Sequence, residues 1–495
     1  MKKTSLFILL ILCTTFVFAQ REVWQWAKQV GGSNADQSHS IVTDSSGNSY
    51  VTGYFQGTAS FGSTTLTSSG DADIFVIKLD SGGNCLWVKQ AGGNKLDVGF
   101  GIATDSSGNS YIIGYFTGTA DFGNTTLTSG SIDDTYYSDI FVAKLDSSGN
   151  WLWAKQAGGS DADQGWSIAI DSSGNSYVTG FFTGTGSFGS TTLNSNGSND
   201  IFVSKLDSSG NWLWAKQAGG NYWDMGYSIA IDSSGNSYVT GNFGETASFG
   251  TTTLTSIGTA DIFVAKLDSN GNWLWAKQAG GTSSVAYGYS IATDSSGNSY
   301  VTGYFGETAS FGSITLTSIG SWDIFVAKLD SNGNWLGAIK AGGTIWDWGQ
   351  SIAIDSEGNS YVTGFFEGSA SFGNITLTSS GSSDIFVAKA YIPYDSNDIV
   401  VVEGNTGLGA IYPNPFNPVA NIPYNLSEIS DADFYIYNVK GQLVRHINVG
   451  PQHPGYYQIS WNGKDDNDKS CSSGIYYFIM KAGKQTFQRK AVLMK

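Results

Sequence analysis

The sequence predicts an all-β chain: a six-bladed β-propeller closed by its own N-terminal strand, followed by a small Ig-like β-sandwich. Three observations carry this. One stretch recurs six times, its first and last copies are cut in complementary ways, and the repeat stops at Lys389, after which all seven prolines appear. The repeat core reads S-I-A-x-D-S-S-G-N-S-Y-V-T-G-x-F, then a Gly/Ser/Thr-rich stretch, then D-I-F-V-A-K-L-D-S-S-G-N-W-L-W-A-K-Q-A-G-G. The Asp opening each first turn falls at Asp44, Asp105, Asp171, Asp232, Asp294 and Asp355, at spacings of 61, 66, 61, 62 and 61 residues. A period of this size in strand-like sequence marks an array of similar sheets.

The chain opens as a secretory signal peptide over residues 1–19. Lys2 and Lys3 precede an apolar run from Leu6 to Phe18, and Ala19 ends a small-residue cleavage site. The run is too short for a membrane anchor. Bulky Leu12 before Cys13 argues against a lipoprotein signal. No later segment is long and apolar enough to span a bilayer as a helix. Cleavage takes the net charge from -16 to -18 by removing two lysines. Such an acidic chain is a poor partner for nucleic acid or anionic lipid, which need clustered Lys and Arg. Cys85 and Cys471 then remain, in different domains, so the hydrophobic core rather than disulfides is expected to hold the fold.

Within residues 20–390, four segments per repeat read as strands: A (167–170), B (176–182), C (201–206) and D (212–217). Each is short, rich in aromatic and β-branched residues and bounded by Gly, Asn, Asp or Ser. The D-S-S-G-N segments between A and B, and between C and D, suit tight hairpins. Four-stranded antiparallel units repeated about an axis make a propeller. The mature chain starts with an orphan D segment, residues 24–29, and the last repeat ends at its C segment, residues 385–389. The expectation is that the first completes the sheet left unfinished by the last, which removes an exposed edge.

The G-N-S-Y-V-T-G and D-I-F-V-A-K-L-D segments resemble the bacterial β-propeller repeat family SBBP over roughly residues 23–390. The family name refers to seven blades, whereas six complete A-B-C sets are present here. The resemblance implies fold and is nearly silent on activity.

A–B and C–D turns share one face of such an array, and D–A and B–C connections share the other. The second face holds most differences between repeats, as at 131–137, 221–225, 321–323 and 344–348. Variable connections on a rigid scaffold are where binding sites develop. Of 16 Trp, ten belong to D strands and Trp461 to the C-terminal domain; the rest are Trp166, Trp223, Trp322, Trp346 and Trp348, all assigned to the variable face. With Tyr222 and Tyr287 they form the candidate ligand-binding set, suited to stacking on sugar rings. The competing reading is that they pack locally over the blade ends.

Asp36, Asp97, Asp163, Asp224 and Asp347 recur ahead of strand A, with Ala286 in the fifth repeat. They could ring a channel mouth and attract a cation, but bonds to nearby backbone N–H groups explain them more cheaply. The Asp before every C strand (Asp73, Asp139, Asp200, Asp261, Asp323, Asp384) reads as structural. No metal, cofactor or catalytic residue is expected. The repeats hold one His, His39, and an acid pair such as Asp133 and Asp134 would serve glycoside chemistry only at the right separation.

Residues 391–408 read as a linker and 409–495 as the C-terminal domain. Its strand candidates are 420–426, 433–438, 443–448, 455–461, 474–481 and 486–494, with apolar alternation at Phe434–Tyr437 and Tyr476–Ile479. Asp465-Asp466-Asn467-Asp468 lacks the Gly and distal Glu of a calcium loop and reads as a hairpin turn. Three segments, Tyr412-Pro413-Asn414-Pro415-Phe416-Asn417-Pro418, Ile436–Gln442 including Gly441, and Ser473-Gly474-Ile475-Tyr476, resemble the type A sorting domain of type IX secretion, in its version related to the Ig-like domain of flagellar hook-capping proteins. The closing Lys490-Ala491-Val492-Leu493-Met494-Lys495 fits the same family. The resemblance implies the type IX machinery as partner and passage through the periplasm to the outer surface or the medium. The preferred reading is therefore a secreted or surface non-enzymatic propeller that binds a glycan or protein. Its rivals are an extracellular polysaccharide hydrolase or lyase and a purely structural adhesion component.

Overall fold

The computed structural model describes residues 26–130, 137–282, 285–356, 358–392, 406–426, 430–452 and 455–494. All regular structure among them is β, in six successive propeller-type sheets followed by an Ig-like domain. In the second sheet, strand A is Asp97–Thr104, B Ser110–Phe116, C Asp139–Leu145 and D Trp151–Ala157, hydrogen-bonded in the order D-C-B-A. β-Branched and aromatic residues fill these strands and fit a pleated surface buried on both sides; every residue of strand C is buried.

The turns form as their sequence dictates. Asp105 Oδ1 accepts from the N–H of Ser107 at 2.9 Å and of Asn109 at 3.0 Å, and Gly108 takes φ 75. The same arrangement closes the C–D turn at Asp146.

Successive sheets share their cores. Tyr177, Ile201 and Val203 of the third sheet pack with Ile229, Val239 and Phe263 of the fourth in one cluster. Burial of each such side chain stabilises by roughly 1.5–3 kcal/mol. Strands A are neighbours: the Ile229 N–H donates to Ser167 Oγ and the Ile291 N–H to Ser228 Oγ, both at 3.2 Å. At the other end of each joint, Tyr238 Oη lies 3.2 Å from Asp232 Oδ2 and 3.0 Å from the Gly297 carbonyl of the next sheet. Lys266 Nζ stands 4.6 Å over that ring and 3.7 Å from Asp232.

Two expectations need correction. The stretch between B and C is not a plain loop: it folds into a further hairpin, as Thr246–Phe249 with Thr252–Thr255. Ala247 and Phe249 are fully buried, and that alternation drives the hairpin. Its first strand pairs with the glycines ending the preceding D strand, Gly219 with Ser248 and Gly220 with Ala247. A Cβ on Gly220 would stand 1.8 Å from the Thr246 carbonyl oxygen, so only glycine allows this approach.

The second correction concerns closure. Trp24 and Gln25 lie outside the described residues, and residues 26–30 form no strand. Gly31–Gly32 pair with Ala59–Ser60 of the first sheet, and Trp26 Nε1 donates to the Ser81 carbonyl at 3.0 Å. These are contacts that D strands make with the sheet that follows, the indole bond recurring at Trp87, Trp153, Trp214 and Trp275. Among the described residues, the expected partner is missing on the other side. The sixth sheet has three strands, Asp347–Ile354, Ser360–Phe366 and Asp384–Ala390. Ile385 is 80% and Val387 77% exposed, where Ile140 and Val142 of the second sheet are fully buried. Among the described residues, no hydrophobic cluster joins the sixth sheet to the first.

In the C-terminal domain the strands fall within a few residues of expectation. Gly407–Leu408, Ala420–Leu426 and Gly455–Trp461 make one sheet; Leu443–Gln452, Ser430–Asn438, Gly474–Ala482 and Gln485–Leu493 make the other. Phe416, Ile422, Phe434, Trp461, Phe478 and Met480 fill the core between them. Asp465 accepts from the N–H groups of Asn467 and Lys469, the hairpin turn its sequence implies. The proposed signal peptide and residues 393–405 of the linker lie outside the described residues.

Candidate functional site

Each A strand carries a register irregularity near its middle, between Gly165 and Ser167 or between Gly288 and Ser290, that leaves one residue out of the ladder. Those residues are His39, Phe100, Trp166, Tyr227, Tyr289 and Gln350. The first five touch in series. Ring centroids are 4.5 Å apart for His39 and Phe100, 5.3 Å for Phe100 and Trp166, 4.9 Å for Trp166 and Tyr227, and 5.1 Å for Tyr227 and Tyr289. The glycine before the irregularity makes the approach possible: a Cβ on Gly288 would stand 2.4 Å from Thr240 Oγ1 of the preceding sheet.

At the fifth and sixth sheets the arc widens into a cluster. Trp346 stacks on Trp322 at 5.5 Å, Trp322 on Tyr304 at 5.0 Å, Tyr304 on Trp348 at 4.8 Å and Trp348 on Tyr289 at 6.1 Å, with interplanar angles from 21° to 30°. Tyr287 meets Tyr304 edge-on at 5.2 Å, and Phe365 lies 5.0 Å from Trp348. Trp346 ends the stack 47% exposed. The buried Trp348 Nε1 has no hydrogen-bond partner among the described residues. Burial and the neighbouring Tyr227 and Tyr289 phenols push the Tyr304 hydroxyl up, and burial moves Tyr289 up to about 12. These hydroxyls are neutral donors at any physiological pH.

Of the candidates, Tyr287, Trp322, Trp346 and Trp348 come together in this cluster. Trp166 sits in the arc, its Nε1 donating to Gln164 Oε1 at 3.2 Å. Trp166, Tyr287 and Trp348 lie on A strands, not in connections as the sequence suggested. Tyr222 and Trp223 stand exposed between the third and fourth sheets. Sequence reasoning followed tryptophan and so missed Phe100, Tyr227, Tyr289, Tyr304 and Phe365. The signal was present as two repeat columns, the fourth residue of A and the sixth of B, that stay aromatic in most copies while changing identity.

The carboxylates before strand A accept from backbone N–H groups. Asp163 Oδ2 accepts from the Gly159 N–H at 2.7 Å and its Oδ1 from the Thr183 N–H at 2.9 Å. Asp97 and Asp347 make the corresponding bond to Gly93 and Gly343. The acid pair Asp133 and Asp134 lies outside the described residues.

In the C-terminal domain, the segment holding Tyr412, Pro413, Asn414 and Pro415 is pinned to the final strand. Asn414 Oδ1 accepts from the Val492 N–H at 2.9 Å, the Phe416 N–H donates to the Val492 carbonyl, and the Met494 N–H to the Phe416 carbonyl. Tyr476 lies against Trp461 at 5.0 Å and donates to the Ser472 carbonyl at 2.7 Å. Gly441 takes φ 75 in a hairpin turn, Gly474 opens the strand Gly474–Ala482 and Lys490 lies on the final strand. Lys495 is outside the described residues.

Comparison with known proteins identifies two modules. The beta-propeller repeat SBBP matches residues 25–54, 86–122, 152–180, 213–242, 274–304 and 342–364, and the FlgD Ig-like domain matches 419–486. An uncharacterized WD repeat-containing protein of Acanthamoeba polyphaga mimivirus is 25% identical over 429 residues, covering 69% of this chain and 31% of that protein. The regulatory protein FlaEY of Caulobacter vibrioides is 27% identical over 111 residues, 22% of this chain and 12% of its own length. The chain thus spans less than a third of either relative. Among solved structures, PorZ, a surface component of the type IX secretion system of Porphyromonas gingivalis, overlaps 92% of this chain and 74% of its own at 13% identity and a TM-score of 0.24. A family 43 arabinoxylan arabinofuranohydrolase from Bacillus subtilis overlaps 79% and 94% at 13% identity and a TM-score of 0.27. Overlaps this loose assign neither ligand nor activity.

Proposed function

We propose that the protein is a secreted or cell-surface binder without catalytic activity that holds a glycan or protein ligand on the face where its D–A and B–C connections emerge. The stack from Trp346 through Trp322, Tyr304 and Trp348 to Tyr289 carries this reading. Its end ring is half exposed, and at the far end of the stack the part-buried Tyr289 keeps a neutral hydroxyl that can donate to a ligand oxygen. Aromatic rings with polar tips contribute large contact area at low entropic cost, which suits binding surfaces. We further infer that the C-terminal domain directs export through the type IX secretion machinery. Supporting this, the Tyr412–Pro418 segment and the chain's last strand form one hydrogen-bonded unit. A glycan array probed with the mature chain tests the first part. Retention of bound sugar unchanged supports a binder, and its turnover would replace that reading with an enzyme. Deleting residues 409–495 should leave the protein in the periplasm, and normal export of the truncated chain would remove the second part.

A further inference from the structure

Between the third and fourth sheets lies an open cavity of about 420 Å³ lined by Asn196, Asn221, Glu245, Thr246 and Ser248. All these side chains are polar, and Glu245 is the only charged one. Its carboxylate makes no hydrogen bond or ion pair among the described residues.

Glu245 sits at φ 49, in the left-handed region that L side chains enter only at a cost. The same place in the repeat is held by Gly57, Gly118, Gly184 and Gly368, at φ from 63 to 72, and in the fifth copy by Glu307 at φ 51. The order Gln56-Gly57 or Thr117-Gly118 is here reversed to Gly244-Glu245, as it is to Gly306-Glu307 in the fifth repeat. The displaced glycine has its own use, because a Cβ on Gly244 would stand 2.1 Å from Tyr222 Cδ1. The Tyr222 ring therefore lies directly on this backbone, 41% exposed beside Trp223 at 60%. Two copies of the repeat thus carry a strained glutamate where the other four carry glycine, and of the two it is Glu245 that lines this cavity.

We propose that this cavity is a carbohydrate subsite that takes a neutral sugar residue. The Glu245 carboxylate accepts from vicinal hydroxyls, Asn196 and Asn221 supply amide donors and acceptors, and the exposed rings of Tyr222 and Trp223 offer apolar faces to the sugar. A free carboxylate in a chain of net charge -16 disfavours acidic sugars. The inference rests on the binding role proposed for this face and extends it by naming the ligand class and the subsite.

The test uses the mature chain and Glu245→Gly on an array of neutral and acidic oligosaccharides, with a melting curve for each. Glu245→Gly should melt higher, because glycine relieves the strained φ, yet bind the neutral glycans at least roughly tenfold more weakly, the loss expected for a charged hydrogen bond. Wild type binding no glycan would defeat glycan recognition by this face as a whole. Wild type binding neutral glycans while Glu245→Gly binds them equally overturns the subsite alone, as does binding confined to acidic glycans. A lower melting temperature for Glu245→Gly would contradict the strain argument.

Discussion

Asp97 and Asp163 are fully buried carboxyls whose ionisation costs more in the folded chain than in water. Burial pushes each up to about 8, with a further push from Asp73 and Asp139, the facing carboxylates of the preceding C strands. Gly158 lies between one such pair: a Cβ there would be 2.6 Å from Asp163 Oδ2 and 3.1 Å from Asp139 Oδ1. Like charges so placed cannot both ionise cheaply. In the joint between the first and second sheets, Oδ1 of Asp73 lacks a donor among the described residues, and a proton shared with Asp97 would supply one. Because the folded pKa is raised above the unfolded 3.8, the folded state binds protons more tightly. The stability this contributes is fully present below about pH 4 and is lost as pH rises toward 8. The turn carboxylates act in the opposite sense. For Asp44, burial works upward, but hydrogen bonds from Asn48 and Ser46 outweigh it and hold the group low, so their stabilisation fades in acid. The melting temperature should therefore be higher at pH 5 than at pH 8.5, and Asp97→Asn with Asp163→Asn should flatten that difference. Equal melting at both values in the wild type would refute the shared-proton account. The sequence showed these Asp columns and their backbone partners, but it could not show that two columns face each other across a joint.

At the scale of elements, the joint between sheets is a short ladder as well as a packed core. Gly220→Ala places a methyl against the Thr246 carbonyl and should destabilise the protein by about 1–3 kcal/mol, read as a shifted urea midpoint. In the C-terminal domain, Phe416 is 1% exposed, packs on Trp461 at 5.7 Å and ties the proline-rich segment to the final strand. Phe416→Ala should cost about 3–5 kcal/mol and reduce export together with stability, measurable as loss of protein from the medium. The four main strands of each repeat were legible because turn residues bracket short aromatic runs. The extra hairpin was overlooked because T-A-S-F and T-T-L-T are only four residues each and rich in Ser and Thr. Their buried Ala247 and Phe249 nonetheless give the alternation of a strand. The aromatic arc was half legible: tryptophan marked part of it, while the register irregularity that brings the rest together exists only in the folded ladder.

Over the whole molecule, the two ends of the array are halves of the joint seen five times inside it. Tyr361 is 40% exposed, whereas Tyr50, Tyr111, Tyr177, Tyr238 and Tyr300 are fully buried at the corresponding place. Complementary cuts at the two ends were legible in the sequence, but whether a ring meets depends on the rotation accumulated between sheets, which no residue pattern states. The open end makes a sharp contrast testable. Val142→Asp puts a charge into a fully buried site and should abolish cooperative folding. Val387→Asp, at a site 77% exposed, should shift stability by no more than about 0.5 kcal/mol. The same array presents its aromatic stack on one face, and the account stands on that face being where a ligand is held. The direct measurement is the dissociation constant of a glycan or protein ligand for the mature chain and for Trp346→Ala, whose half-exposed ring can be removed without opening a core. Loss of about 2 kcal/mol, roughly thirtyfold in affinity, with an unchanged melting temperature is the result expected of a contact anchor. Undiminished affinity in that variant, and in one that also carries Trp322→Ala, would contradict it.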